Sequence, residues 1–162
     1  MPAAPEPGAG GPREVFQYAL LRVVPDQERG EGLNVAVVVH CRRRAFLGVR
    51  THLDPARLAV LDPTLDVDAI AAHLGAVERV AAGDPGAGAV AAMDRSDRFG
   101  WITAPSSTIL QPSPVHTGVC DDPDAVLERL ARRLVAPPGS DPGASGAGGG
   151  APPRSPGLPW RA

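Results

Sequence analysis

Leu33-Asn34-Val35-Ala36-Val37-Val38-Val39-His40-Cys41 decides the fold of this chain of 162 residues. Its four valines favour an extended backbone, because branched side chains pack well on a pleated surface. In a strand, Leu33, Val35, Val37, Val39 and Cys41 share one face, and Asn34, Ala36, Val38 and His40 share the other. Both faces are largely apolar, so the segment is expected to be a central strand, covered at least partly on each side.

Its neighbours in sequence supply partners. Upstream, Val15 to Val24 is rich in β-branched and aromatic residues and stops at Pro25. Phe16, Tyr18, Leu20 and Arg22 fall on one face of it, and Val15, Gln17, Ala19, Leu21 and Val23 on the other. The charged run Asp26 to Gly32 between the two strands is too polar for a core and reads as a turn with two glycines. Downstream, Arg42-Arg43-Arg44 reads as a solvated hairpin tip, and Ala45 to Leu53 as an antiparallel partner with Arg50 and His52 on its wetter face. Asp54-Pro55 starts a short helix to about Leu61. A longer helix runs from Asp66 to Ala82, with Val67, Ile70, Leu74, Val77 and Ala81 on one stripe, and stops at Gly83-Asp84-Pro85. Asp122-Pro123 repeats the start signal for a last helix that packs Val126, Leu127, Leu130 and Leu134 and keeps Arg129, Arg132 and Arg133 outside. Between the helices, residues 88–97 read as weakly helical, Phe99 to Thr103 as a strand, and Ala104 to Gly118 as an ordered loop with a short strand at Thr108 to Gln111. The expected fold class is α+β: an antiparallel or mixed sheet of about four to five strands with helices mainly on one face.

Composition sets the limits of that domain. Glycine and proline number 19 each, and 21 of these 38 fall in residues 1–12 and 136–162. These flanks are expected to be disordered tails around a single domain at 13–135, since they cannot bury enough apolar surface to offset ordering entropy. No apolar run approaches the ~20 residues that cross a bilayer, and the N-terminal segment lacks a leader pattern, so the cytoplasm is the expected compartment. All sixteen basic residues are arginine against eighteen acids, a net charge of −2, which does not fit a nucleic-acid binder. The absence of lysine fits GC-rich coding. Two cysteines without a Cys-x-x-Cys pair indicate no disulfide scaffold.

Most familiar chemistries find no support. The pairs His40-Cys41 and His116/Cys120 offer zinc-type ligands, but neighbouring strand residues leave on opposite faces, and neither a metal nor a cofactor is expected. Cys120 with His116 or His40 is the thiol–imidazole combination worth naming for a nucleophile, so His116 and Cys120 are the catalytic candidates. No elbow motif surrounds Ser106, Ser107 or Ser113. Gly86-Ala-Gly88-Ala-Val-Ala91 matches a dinucleotide fingerprint formally but has a helix, not a strand, before it. One constellation remains: Arg22, Glu28, Arg29, Glu31 and Asn34, gathered at one end of the sheet if the first two strands pair. Its guanidinium groups can brace the hairpin through ion pairs, or can hold a carboxylate or phosphate in a groove that the 104–118 loop closes.

The same residues carry a family resemblance. Tyr18-Ala-Leu-Leu-Arg22-Val-Val-Pro25, Glu28-Arg29-Gly30-Glu31 and Asn34-Val35 form one block; Trp101-Ile-Thr103-Ala-Pro105-Ser106, Gln111-Pro-Ser-Pro114-Val-His116-Thr-Gly118 and Cys120-Asp-Asp-Pro123 form a second. Together they resemble a bacterial family catalogued as domain of unknown function 3037, from about Phe16 to Val135. Where its pattern has Phe after the acidic residue and Gly after Asn-Val, this chain has Gly32 and Ala36. The resemblance implies no catalytic roles; it implies an accessory role beside kinases of the HipA-like type.

The sequence therefore favours a noncatalytic binding or accessory module with Arg22, Glu28, Arg29, Glu31 and Asn34 as its polar surface and Ser106, Gln111 and His116 contributing from the loop. The competing reading is a small hydrolase or transferase that grips an anionic substrate with Arg22 and Arg29 and uses His116 as acid/base. Oligomeric state is not legible.

Overall fold

The computed structural model describes residues 12–137. All but the innermost residues of the two expected tails lie outside the described residues. Leu33–Cys41 is strand β2, next to β1 (Glu14–Val23) on one side and β3 (Phe46–Thr51) on the other, both antiparallel. The far edge of β1 is shared by two short strands, β4 (Leu110–Pro112) opposite Leu21 to Val23 and β5 (His116–Cys120) opposite Glu14 to Tyr18. Five antiparallel strands and four helices make the α+β fold.

Between β4 and β5 the pairing is carried by one residue. Ser113 donates its backbone N–H to the Leu20 carbonyl at 2.8 Å, and its Oγ accepts the Leu20 N–H at 2.9 Å. A side chain thus replaces a missing backbone acceptor where the chain steps from one half-strand to the next.

The helices divide between the faces of the sheet. α1 (Pro55–Leu61), α2 (Val67–Ala82) and α3 (Arg95–Ile102) contribute Leu58, Ile70, Leu74, Val77, Phe99 and Ile102 to a core against Ala19, Leu21, Val23, Ala36 and Val38. α4 (Pro123–Leu134) covers the other face alone, placing Val126 and Leu127 against Phe16, Val37, Val39 and Cys41. Gly48 and Gly118 make room there, because a Cβ would lie 2.6 Å from Leu127 Cδ2 at the first and 2.6 Å from Phe16 Cζ at the second. Leu58 and Leu127 are wholly buried, and each contributes about 2 kcal/mol of transfer free energy.

Two expectations need correction. The alternation of β2 holds from Ala36 to Cys41, but the register slips between Leu21 and Arg22, with Leu21 opposite Ala36 and Arg22 opposite Asn34. Val35 is the extra residue of a β-bulge, and it joins Ala36 in the core under α2, not Val37 on the α4 face. Of Phe99 to Thr103, expected as a strand, Phe99 to Ile102 belong to α3 and Thr103 is its C-cap, while Asp94 caps its start by accepting from Asp97 N–H at 3.0 Å. Phe99 and Ile102, three apart, both enter the core, so helical spacing overrides the strand propensity of an aromatic run. The segment before α3 makes two short 3₁₀ turns, Pro85–Ala87 and Ala89–Ala92.

Candidate functional site

The bulge fixes what lies at the turn end of the α4 face. Arg22 stands opposite Asn34 on β2 and Gln111 on β4, so a polar row crosses three strands where the apolar side chains of the α4 face stop. Asn34 Nδ2 donates to the carbonyl of Leu134 at 3.0 Å, tying β2 to the last turn of α4. The Gln111 amide nitrogen is buried and has no hydrogen-bond partner among the described residues. Gly32 leaves space for Arg22: a Cβ there would lie 3.1 Å from Nη2 of the guanidinium and 3.0 Å from the Val23 carbonyl oxygen.

A cleft of about 460 Å³ opens above this row, lined by Leu20, Arg22, Asn34, Arg57, Ser113 and Leu134 with Gly32 and Leu33. Arg57 comes from α1, where Asp54 caps the first turn by accepting from Ala56 and Arg57 N–H groups. Among the described residues neither the Arg22 nor the Arg57 guanidinium has a hydrogen bond or ion pair. Both are half-buried, and two like charges facing one cleft without a counter-ion leave donors turned toward whatever enters it.

The other expected site residues are distributed elsewhere. Arg29 and Glu31 form a two-point ion pair, with Nε to Oε2 at 3.2 Å and Nη2 to Oε1 at 3.0 Å, on an exposed part of the turn. That pairing holds the Arg29 pKa above its ordinary value and so occupies the guanidinium. Glu28 is exposed, its N–H donating to Asp26 Oδ1 at 2.9 Å. Ser106 exchanges hydrogen bonds with Thr108 and lines a separate, mostly apolar groove of about 290 Å³ with His73, Trp101 and Leu110. His116 is exposed and stacks on Tyr18 with ring centroids 5.0 Å apart, at the β5 end of β1. Cys120 lies in the core under α4, where burial first and then the neighbouring Cys41 thiol push its pKa up. Cys41 itself donates to the Val15 carbonyl at 3.4 Å, while His40 leaves the opposite face and stacks on Phe99 at 5.2 Å.

The structure therefore brings together Arg22, Asn34 and Gln111 and adds Arg57 and Ser113, which sequence reasoning did not single out. The signals for them were slight. Arg57 is the third residue of a capped helix start, and Ser113 is the residue between two prolines. Gln111 pairs with Arg22 in the sheet without lining the cleft, and Glu28, Arg29, Glu31, Ser106, His116 and Cys120 do not line it either.

Geometry thus defines an α+β fold with a cleft at one end of its sheet lined by two arginines that have no ion-pair partner among the described residues. Residues 18–135 match the family described as "Protein of unknown function (DUF3037)", and the chain belongs to that family. No curated protein and no solved structure matches it. Among the described residues no helix is long and apolar enough to cross a membrane.

Proposed function

We propose that this domain is a noncatalytic binding module whose Arg22–Arg57 cleft receives an anionic group of a partner. One observation carries the reading: two half-buried guanidinium groups face the same cleft with no counter-ion among the described residues. Guanidinium groups so placed present donors that a bound carboxylate or phosphate can occupy.

The groups beside the arginines favour binding over catalysis. Among the described residues Ser113 is the only hydroxyl lining the cleft, and its Oγ accepts from Leu20 N–H while donating to the Pro114 carbonyl at 2.9 Å. Its proton is committed to a backbone oxygen, so it is poorly set up as a nucleophile. The acid/base of the competing enzyme reading, His116, stacks on Tyr18, four residues along β1 from Arg22. Four strand residues span about 13 Å, beyond direct proton transfer to a group held at Arg22. Within this proposal a HipA-like kinase is the partner to try first.

Thermal denaturation tests the cleft directly. At constant ionic strength, sulfate or phosphate replacing chloride should raise the Tm of the protein, and Arg22→Ala or Arg57→Ala should remove the increment. An increment that survives both substitutions would count against the site. Co-purification of a coexpressed HipA-like kinase, lost in the same variants, would identify the partner; hydrolase or transferase turnover abolished by His116→Ala would favour the enzyme.

A further inference from the structure

The cationic cleft does not end at Arg57. A second cavity of about 370 Å³ shares Gly32, Leu33 and Arg57 with it and continues past Glu31 over Val60 and Leu61 of α1. Val60 is 89% exposed, whereas Leu58, two residues earlier, is fully buried. A valine so open to water, beside a half-buried leucine and an unpaired arginine, is an apolar shelf with nothing over it among the described residues.

Resting on the reading above, we infer that cleft and shelf form one groove that docks a segment of a partner protein in which an acidic side chain lies within a few residues of an apolar one. Arg22 and Arg57 take the carboxylate, and Leu33, Val60 and Leu61 take the apolar neighbour. Charge complementarity selects this occupant. An inorganic anion would satisfy the arginines but leave the shelf wet. An anionic bilayer surface would meet Asp26, Glu31 and Asp62, which line the adjoining cavity on the turn side, in a chain whose net charge is −2. Glu31, which lines the shelf and is paired with Arg29, also sets polarity, since a second carboxylate is disfavoured on the shelf and the acidic residue is directed to the arginines. Burial of the apolar neighbour adds affinity that a free anion cannot gain.

Selection of a random heptapeptide phage library on the full chain tests this. The expected result is enrichment of Asp or Glu within three positions of Leu, Ile, Val or Phe. A fluorescent peptide of the recovered consensus should lose at least tenfold in affinity with Arg22→Ala or Arg57→Ala, and several-fold with Val60→Ser, a substitution at so exposed a site that folding is untouched. Acidic peptides without apolar enrichment, bound equally by Val60→Ser but lost with the arginine variants, would overturn the shelf and leave the anion cleft standing. Peptides indifferent to both arginines would overturn the shelf and the cleft together. Binding of anionic phosphatidylglycerol vesicles with no peptide selected would overturn the proposal in favour of a membrane surface.

Discussion

His40 occupies an unusual position for an ionisable group: 5% exposed on β2, its ring stacked on Phe99. Burial lowers its pKa from the ordinary 6.5, with Arg42 and Arg95 acting in the same direction and Asp94 against them. The fold therefore holds the neutral imidazole. As pH falls through 6.5 the unfolded chain takes up a proton that the folded one resists, so the stability present above 6.5 is lost on the way down to the folded pKa. Urea denaturation between pH 7.5 and 5 should show this decline, and His40→Leu should flatten it. A slope unchanged by the substitution would place the titrating group elsewhere. Gly83 is a second residue whose identity is dictated locally. It ends α2 at φ +73°, and a Cβ there would lie 2.5 Å from Nη1 of Arg98, which donates to the Val80 and Ala81 carbonyls at 3.2 and 2.8 Å. Gly83→Ala should cost about 1–3 kcal/mol, read as a lower denaturation midpoint at unchanged slope, because it combines left-handed strain with displacement of a buried guanidinium.

At the scale of the element, all four helices begin alike: Asp54, Asp66, Asp94 and Asp122 each accept a backbone N–H from the first turn. α4 depends most on its ends, because it covers its face of the sheet alone. Asp122 holds its start through the Asp124 N–H at 2.9 Å, and Asn34 satisfies one of the carbonyls orphaned at its finish. Asp122→Ala should lower stability by about 1 kcal/mol, visible as a Tm drop of a few degrees; no change would mean that packing alone fixes the helix. These starts were legible because Asp before Pro, or Asp before a periodic apolar stripe, is a local signal. α3 was not, since Phe99-Gly100-Trp101-Ile102-Thr103 carries strand-forming residues and its helical state follows from Phe99 and Ile102 sharing one core contact surface. The bulge was invisible for a related reason. A period of two can be read along β2, but where it skips is decided by pairing with β1.

For the molecule as a whole, the two-faced character of β2 was the informative signal. Cover on each side of the sheet followed from it, and the structure supplies that cover with three helices on one face and α4 on the other. The candidate site was half legible. Arg22 and Asn34 could be paired because consecutive strands with a short turn lie side by side. Arg57 and Ser113 belong to a helix and an edge segment that meet the hairpin only in the folded chain, 35 and 91 positions from Arg22 in sequence. The turn allowed two readings, and Arg29 and Glu31 lie close enough in sequence to satisfy one another, the ion-pair bracing of the hairpin, so that neither lines the Arg22–Arg57 cleft.

The Ser113 step between β4 and β5 also bears on solubility. An uninterrupted strand along that margin of β1 would offer a continuous ladder onto which another polypeptide could zip, the usual beginning of aggregation. Here the margin is cut into runs of three and five residues. Pro112 and Pro114 have no N–H to offer, and the residue between them gives both its N–H and its hydroxyl oxygen inward, to Leu20. The step that gives the cleft its hydroxyl thus also interrupts the ladder that a further strand would need along this margin.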